Sequence, residues 1–522
     1  MKKIIFLALI TIAGLALRIY NLDFPSIGYH DMRENESLSI AKEMSRTGDF
    51  FSKRVYFHNA FEDEPGIIKN KEIPLVSYQT ILAWRIFGEN LWGARLLNVL
   101  FGVLSVLAVY LIAESLFAGF YISVFCAFLA AGLPVLIFFS RNLQPEAPAL
   151  FFMLLGSLFY LEFLTKQFKK RHLVLGGMSF AIAGLYQCNF LIGIVPFLFC
   201  FPRVAFRKDL RRFILAFLGP YLIMGAIAWG LTAGYDGAFA PMPLFGIPEV
   251  FTPAYWVKYG FSVWRYATAE NFTLIFVLFA VLGAVLALSG LKSMAGRYIA
   301  GWILAIMLYV LIFSREIIQQ SYFQMPFAAF ICLSAGYVFY WLRGHSRDIF
   351  IAVLAFTMIG VNAPFIYQAV RGMHWTVFLG LDVAGESLKE FTRPRERIFL
   401  YGHAQGNGIA RYAQRYMGWP ENLGDFKKKE EKFNVKYACF YPIEYVHTLK
   451  TKDPELFKHI EDTYKVKEIG YAEEASRPVY IILEKGRTQA DASFLEGFNG
   501  HSQLRTIYRM FGRFVFFYTV RR

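Results

Sequence analysis

"LVLGGMSFAIAGLYQCNFLIGIVPFLFCFP", residues 173–202, decides how the chain is threaded. A membrane-spanning helix takes about 20 mainly apolar residues, so this run is long for one crossing and short for two. Basic loops stand at both ends: Lys166, Lys169, Lys170 and Arg171 before it, and Arg203, Arg207, Lys208, Arg211 and Arg212 after it. Short loops rich in Lys and Arg stay on the cytoplasmic side. If both do, the run crosses twice and turns near Gln187-Cys188-Asn189. Short, tilted helices are then needed, which neighbouring protein can support.

Outward from this run, apolar stretches recur at 4–20, 92–114, 120–139, 147–164, 212–232, 272–291, 297–314, 322–342 and 348–368. With the double crossing they make about eleven transmembrane helices. Lys2-Lys3, both basic loops, Lys292/Arg297 and Arg343/Arg347 then share one side, as positive-inside bias requires. The opposite side receives loop 21–91, the turn "SRNLQPE" (140–146), loop 233–271, "SREIIQQS" (314–321) and the tail beyond 370. Met1-Lys2-Lys3 before an apolar run also fits a signal peptide. No small-x-small cleavage site precedes Asp23, so residues 4–20 read as a retained first helix.

Composition agrees. The chain is 56% hydrophobic and 18% charged, against about 25% charged in soluble domains, and its mean hydropathy is +0.40. The net charge of +15 does not indicate nucleic acid, because much of it lies in short loops between apolar runs. Cys126, Cys188, Cys200 and Cys332 fall in apolar segments and Cys439 in the tail, with no disulfide or zinc pattern.

The tail reads differently. "RIFLYG" (397–402), "KYACFYP" and "VYIILE" read as strands, residues 406–416 as a helix, and "DPELFKHIEDTY" as a helix opened by Asp453 and Pro454. The expected fold class is therefore an α-helical polytopic membrane protein with a C-terminal soluble α/β domain. Its expected domains are 1–369 in the membrane and 370–522 outside the cytoplasm. "GHAQGNG" (402–408) lacks phosphate-loop spacing.

Four polar patches share the outer face. "GYHDMRENESLSIAKEM" (28–44) carries His30, Asp31, Arg33, Glu34 and Glu36, where the chain leaves the first apolar run. Residues 33–45 can form a helix with Leu38, Ala41 and Met44 on one side, fit to lie on the membrane surface. Arg33 and Glu36 stand one turn apart. These charges fit a plain solvated face, or a general base beside an anion-binding arginine. "NKEIPLVSYQTILAWRIFG" (70–88) adds Glu72 and Tyr78. "FSRNLQPEAPALFF" (138–152) brackets a tight turn with Arg141 and Glu146, costly near lipid unless partnered. "REIIQQSYFQMP" (315–326) adds Gln320 and Tyr322; aromatic anchoring at the interface would explain Tyr322 equally well.

The order of these patches resembles the GT-C fold membrane glycosyltransferases, in the protein mannosyltransferase and aminoarabinose transferase group (glycosyltransferase family 39). "SIAKEMSRTGDF" is similar to that group's A-R-E-M-x-x-x-G-D-W segment, and "SRNLQPEAPALFF" to its S-R-x-x-x-P-D-A-P-L-x-F-F turn. "EIPLVSYQTILAWRIFG" and "LWGARLLNVLFGVLSVLAVYLIAESLF" resemble its second-helix region. "YFQMPFAAFICLSAGY" resembles its Y-Y-x-L-P segment, and "ARYAQRYMGW" a phrase of related tails. Two departures stand out: the usual adjacent Asp-Glu is Arg33-Glu34 here, and the usual Lys-Pro of the second loop is Glu72-Ile73.

The resemblance implies transfer of a single hexosyl or pentosyl unit from a polyprenyl-phosphate sugar to a lipid, glycan or protein acceptor at the outer face, with inversion. Glu36 and Asp31, ahead of Glu34, are the implied catalytic carboxylates, and Arg33 and Arg141 the cations for the donor phosphate. His30, Glu72, Tyr78, Glu146, Gln320 and Tyr322 are the implied substrate contacts. No cofactor is obligatory, no metal ligand is assigned, and a divalent ion is left open. The expected partners are the lipid-linked donor, the acceptor and membrane lipids, with no nucleic acid. The expected location is the cytoplasmic or inner membrane, crossed several times, with the N-terminus inside and the C-terminal domain outside. A glycan ligase or oligosaccharyltransferase is the alternative enzyme. A transporter or lipid flippase is the non-enzymatic rival, but it would place ionisable groups at mid-membrane.

Overall fold

A computed structural model describes residues 2–57, 59–68, 73–166, 168–201, 210–232, 250–343, 348–402, 405–473, 478–487 and 501–521. The chain divides into two compact units. One comprises Met1–Leu22, Asn70–Gln79 and Ala83–Met373; the other comprises Asp23–Lys69, Thr80–Leu82 and His374–Arg522.

The first unit is helical, and its helices follow the apolar runs closely: Lys2–Ile19, Leu91–Phe117, Glu146–Thr165, Leu210–Thr232, Leu274–Ser289, Met294–Ile312 and Asp348–Trp375. The run 120–139 is broken into Phe120–Gly132 and Pro134–Phe139. Leu133 is extended there, as the residue before a proline tends to be. At 173–202 the chain doubles back. The helix Lys170–Tyr186 ends at an extended Gln187, and a 3₁₀ helix, Cys188–Leu198, returns. Phe180 and Phe197, on opposite sides of that turn, both pack on Tyr160, with ring centroids 5.3 and 5.2 Å away. A 3₁₀ helix rises ~2 Å per residue, so the short return leg still spans roughly 22 Å.

Among the described residues, six helices are long and apolar enough to cross a membrane. They number seven if the pair Pro253–Asn271 and Leu274–Ser289, bent by 108°, is one span. Phe120–Gly132 and Cys188–Leu198 are apolar but shorter. The chain is thus a polytopic integral membrane protein. Close helix contacts hold it: a Cβ on Gly283 would lie 1.8 Å from the Ser334 carbonyl oxygen, and one on Gly301 2.6 Å from Pro196 Cα. Small residues admit such contacts in the membrane, where packing supplies much of the association energy.

The second unit is built on seven strands: β1 (Ile398–Tyr401), β2 (Met417–Gly418), β3 (Tyr437–Phe440), β4 (Tyr464–Ala472), β5 (Tyr480–Lys485), β6 (His501–Met510) and β7 (Arg513–Arg521). They run in the order β2-β1-β3-β5-β4-β7-β6; β2, β1 and β3 are parallel and the remaining pairs antiparallel. Both faces of β1 are buried. Ile398 and Leu400 enter one core, and Phe399 and Tyr401 the other, following the two-residue period of a strand. Asp453 Oδ1 accepts from the Leu456 amide at 3.0 Å and, with Pro454, starts the helix Pro454–Thr463. The three expected strands are β1, β3 and β5. All five cysteines are free.

Candidate active site

The first-loop residues form the helix Asp31–Thr47 within the sheet-bearing unit. It follows His30 in the left-handed region, φ 58°, and ends at Gly48, φ 73°. Helical spacing puts Asp31, Glu34, Asn35, Leu38, Ala41 and Met44 on a buried side, while Arg33 and Glu36 are half-buried. The apolar side, Leu38, Ala41 and Met44, is buried. It packs inside the protein, with the helix Gly406–Ala413 as a neighbour.

Around Asp31 the hydrogen bonds are dense. Asn35 Nδ2 donates to Asp31 Oδ2 at 3.1 Å and to the Ser26 carbonyl at 2.8 Å. Ser26 Oγ donates to Glu34 Oε2 at 2.5 Å, and the Ser26 amide to the Tyr412 phenol at 2.9 Å. Arg411 Nε donates to Asn35 Oδ1 at 2.6 Å, its guanidinium stacked 3.7 Å over Tyr412. Asp31 Oδ1 is buried and receives no hydrogen bond from the described residues. Burial, then the nearby Glu34, pushes the Asp31 carboxyl well above the usual carboxylate range. Burial, then Arg33, lowers His30 to about 4, so that its imidazole is neutral at pH 7.

Further along, Glu43 accepts from Arg46 at 2.7 and 3.0 Å, from the Tyr56 phenol at 2.6 Å and from Tyr416 at 3.2 Å. A second buried acid, Asp382, accepts from Tyr508 and is pushed up to about 6 by burial. The glycines of "GNG" serve packing. A Cβ on Gly406 would lie 2.4 Å from the Phe57 ring, and one on Gly408 2.3 Å from Leu381.

In the membrane unit the turn 140–146 is locked from several directions. Asn98 Nδ2 donates to the carbonyls of Asn142 and Gln144 at 2.5 and 2.8 Å, and Arg141 Nη2 to the Asn21 carbonyl at 2.6 Å. Glu146 is buried in the first turn of its helix, where the dipole favours an acid. Tyr322 packs edge-on against Phe139, centroids 5.6 Å apart, so the 138–152 and 315–326 patches meet. Asn189, at the turn of the doubled run, donates to the Tyr309 phenol at 2.8 Å, and Tyr309 donates to the Phe323 carbonyl at 2.5 Å.

This architecture is found elsewhere. It superposes on the Archaeoglobus fulgidus oligosaccharyltransferase, solved with Zn and sulfate, with a TM-score of 0.55 at 16% identity, covering 91% of this chain and 72% of that one. With ArnT from Cupriavidus metallidurans in the apo state the TM-score is 0.52 at 13% identity, covering 92% and 97%. The chain has the GT-C fold. Residues 65–233 match the family model described as dolichyl-phosphate-mannose-protein mannosyltransferase, the group that the motifs resemble. An uncharacterized protein of Aquifex aeolicus (strain VF5) is 29% identical over 170 residues, 32% of this chain and 31% of that protein's length.

Within this GT-C chain the sequence-derived residues fall into two groups. His30, Asp31, Arg33, Glu34 and Glu36 belong to the sheet-bearing unit; Tyr78, Arg141, Glu146, Gln320 and Tyr322 belong to the membrane unit. Glu72 and His403 lie outside the described residues, as do Arg203, Arg207, Lys208 and Arg347. Among the described residues no group of three or more His, Cys, Asp or Glu is close enough to hold a metal ion. Sequence reading passed over Asn35, Arg411 and Asp382. Arg411 stood inside the quoted "ARYAQRYMGW", but nothing local pairs it with the first loop.

Proposed function

We propose that this protein transfers one sugar from a polyprenyl-phosphate donor to a lipid, glycan or protein acceptor at the outer face of the membrane. The observation that carries this reading is Asp31 Oδ1, a buried carboxylate oxygen with no hydrogen-bond partner among the described residues, at the start of the first-loop helix of a GT-C chain.

Asp31 acts as the general base. It takes the proton of the acceptor hydroxyl while that oxygen bonds to the anomeric carbon. The anomeric carbon–phosphate bond breaks on the opposite side, and the polyprenyl phosphate leaves with the electron pair. A carboxyl raised above its usual range is a better base near neutral pH than an ordinary one. Asn35, held by Arg411, fixes its orientation, and Glu36 is the second candidate. Arg33 is the proposed cation for the phosphate, whose charge grows as it leaves, and Arg141 in the membrane unit is the alternative candidate. A donor whose tail stays in the bilayer must react where its phosphate meets water, so the protein needs no nucleotide site.

The test is mass spectrometry of envelope glycolipids and glycoproteins with and without the gene, paired with transfer by the purified chain from synthetic polyprenyl-phosphate sugars. Loss of a single-sugar increment supports the reading. Loss of a preassembled oligosaccharide would assign block transfer instead, and unchanged glycans together with no transfer from any donor would exclude it.

A further inference from the structure

The sheet-bearing unit holds a cavity of about 420 Å³, away from the Asp31 cluster in sequence and lined chiefly by Asn59, Phe61, Glu62, Trp419, Glu421 and Lys429. Its size falls within the range of small-ligand sites. We propose that it is a saccharide-binding site.

Trp419 is 48% exposed, yet it is held: its centroid lies 5.4 Å from Phe57, itself buried. Phe61, half-buried, is anchored on Phe399 and Phe433 at 5.1 and 5.8 Å. The loop carrying Phe61 is closed by hydrogen bonds. The Asn59 carbonyl accepts from the amides of Glu62 and Gly66 at 3.3 and 3.4 Å, and Asn59 Nδ2 donates to the Ile67 carbonyl at 3.2 Å. A Cβ on Gly418 would stand 3.3 Å from Ala60 and 3.4 Å from Phe61, so the glycine keeps the floor low. The cavity is therefore preorganised.

Its chemistry selects among ligands. A fixed aromatic face suits the C–H face of a pyranose, and the exposed carboxylates of Glu62 and Glu421 accept from ring hydroxyls. Lys429 supplies little surplus positive charge, because Asp425 holds its ammonium at 2.6 Å, so an anionic ligand has no strong attraction here. A peptide adding a strand would need an open sheet edge. β2 is the edge strand, but Met417 already pairs with Phe57, its amide donating to the Tyr56 carbonyl at 2.7 Å. A neutral, polyhydroxylated ligand fits best.

The experiment is saturation-transfer NMR on the purified full chain, without donor, using maltotriose, mannotriose and N,N′-diacetylchitobiose as probes and a ten-residue mixed-sequence peptide as control. At least one sugar should bind saturably. Trp419→Ala should weaken it by about tenfold or more, and Trp419→Phe much less. Glu421→Gln, at an exposed position and safe for folding, should weaken it a few-fold. Absence of saturable binding by all three sugars would overturn the proposal, as would Trp419→Ala and Glu421→Gln variants that bind like the wild type. Peptide binding that depends on Trp419, with no sugar binding, would reassign the cavity to a peptide. Because no transfer is measured, this result stands or falls separately from the transferase reading.

Discussion

Asn35 Oδ1 accepts a hydrogen bond from Arg411 Nε at 2.6 Å, joining residues 376 positions apart in the chain. Its amide nitrogen is thereby turned toward Asp31 and the Ser26 carbonyl. One side chain thus links the first-loop acid to a helix of the tail.

Asp31→Asn should reduce turnover by about 10²–10⁴-fold, since an amide cannot accept the acceptor proton. Donor binding should be largely kept. Glu36→Gln should stay near wild type, and the reverse pattern would move the base to Glu36. Because burial raises the Asp31 carboxyl, the acid limb of the pH–rate profile should lie above the usual carboxylate range. The same shift has a stability sign. A raised carboxyl contributes stability at low pH that is lost as pH rises through its folded value, so Asp31→Asn should raise Tm at neutral pH.

Glu43 carries the opposite sign. Burial pushes its carboxyl up, but hydrogen bonds from Arg46, Tyr56 and Tyr416 outweigh this and hold it below the usual value. Its contribution is present at neutral pH and is lost as pH falls through the lowered folded value. Glu43→Gln should cost about 1.5–3 kcal/mol at pH 7, the scale of hydrogen bonds to a charged group. Thermal unfolding of the two proteins should converge in acid.

Gly283→Ala should destabilise the membrane unit by about 1–3 kcal/mol or more, because its Cβ would collide with the Ser334 backbone. Gly219→Ala, where no atom of the described residues lies within 4 Å of the new Cβ, should be neutral or slightly stabilising. Unfolding in detergent, followed by helical circular dichroism, separates the two.

A C-terminal fusion to a phosphatase active only outside the cytoplasm should be active, with the N-terminus inside. An active cytoplasm-only reporter at the C-terminus would reverse the proposed sidedness and remove the four patches from the outer face.

The membrane helices were legible because about 20 apolar residues have one low-cost arrangement in a bilayer, with backbone groups satisfied within the helix. Even the reversal at Gln187 followed from the basic loops on either side. The buried strands "RIFLYG", "KYACFYP" and "VYIILE" were readable for a related reason, being short apolar runs between turn residues. The 3₁₀ form of Cys188–Leu198 was not readable, because its periodicity is lost in a uniformly apolar segment. β6 and β7 were also missed; the first residues of β6 are exposed and carry little alternation.

The first-loop helix marks the boundary most clearly. Its existence, its charges and its Leu38-Ala41-Met44 side are local properties, written at helical spacing. What that side packs against is not local, and a membrane surface and a protein core make the same demand on three apolar residues. Tertiary structure alone placed residues 23–69 in one unit with residues 374–522, and so brought Arg411 to Asn35 and left Asp31 Oδ1 buried without a hydrogen-bond partner among the described residues. Hydrogen bonds between residues hundreds of positions apart leave no period or spacing in the chain, so the environment of the candidate base could only be seen once the chain was folded.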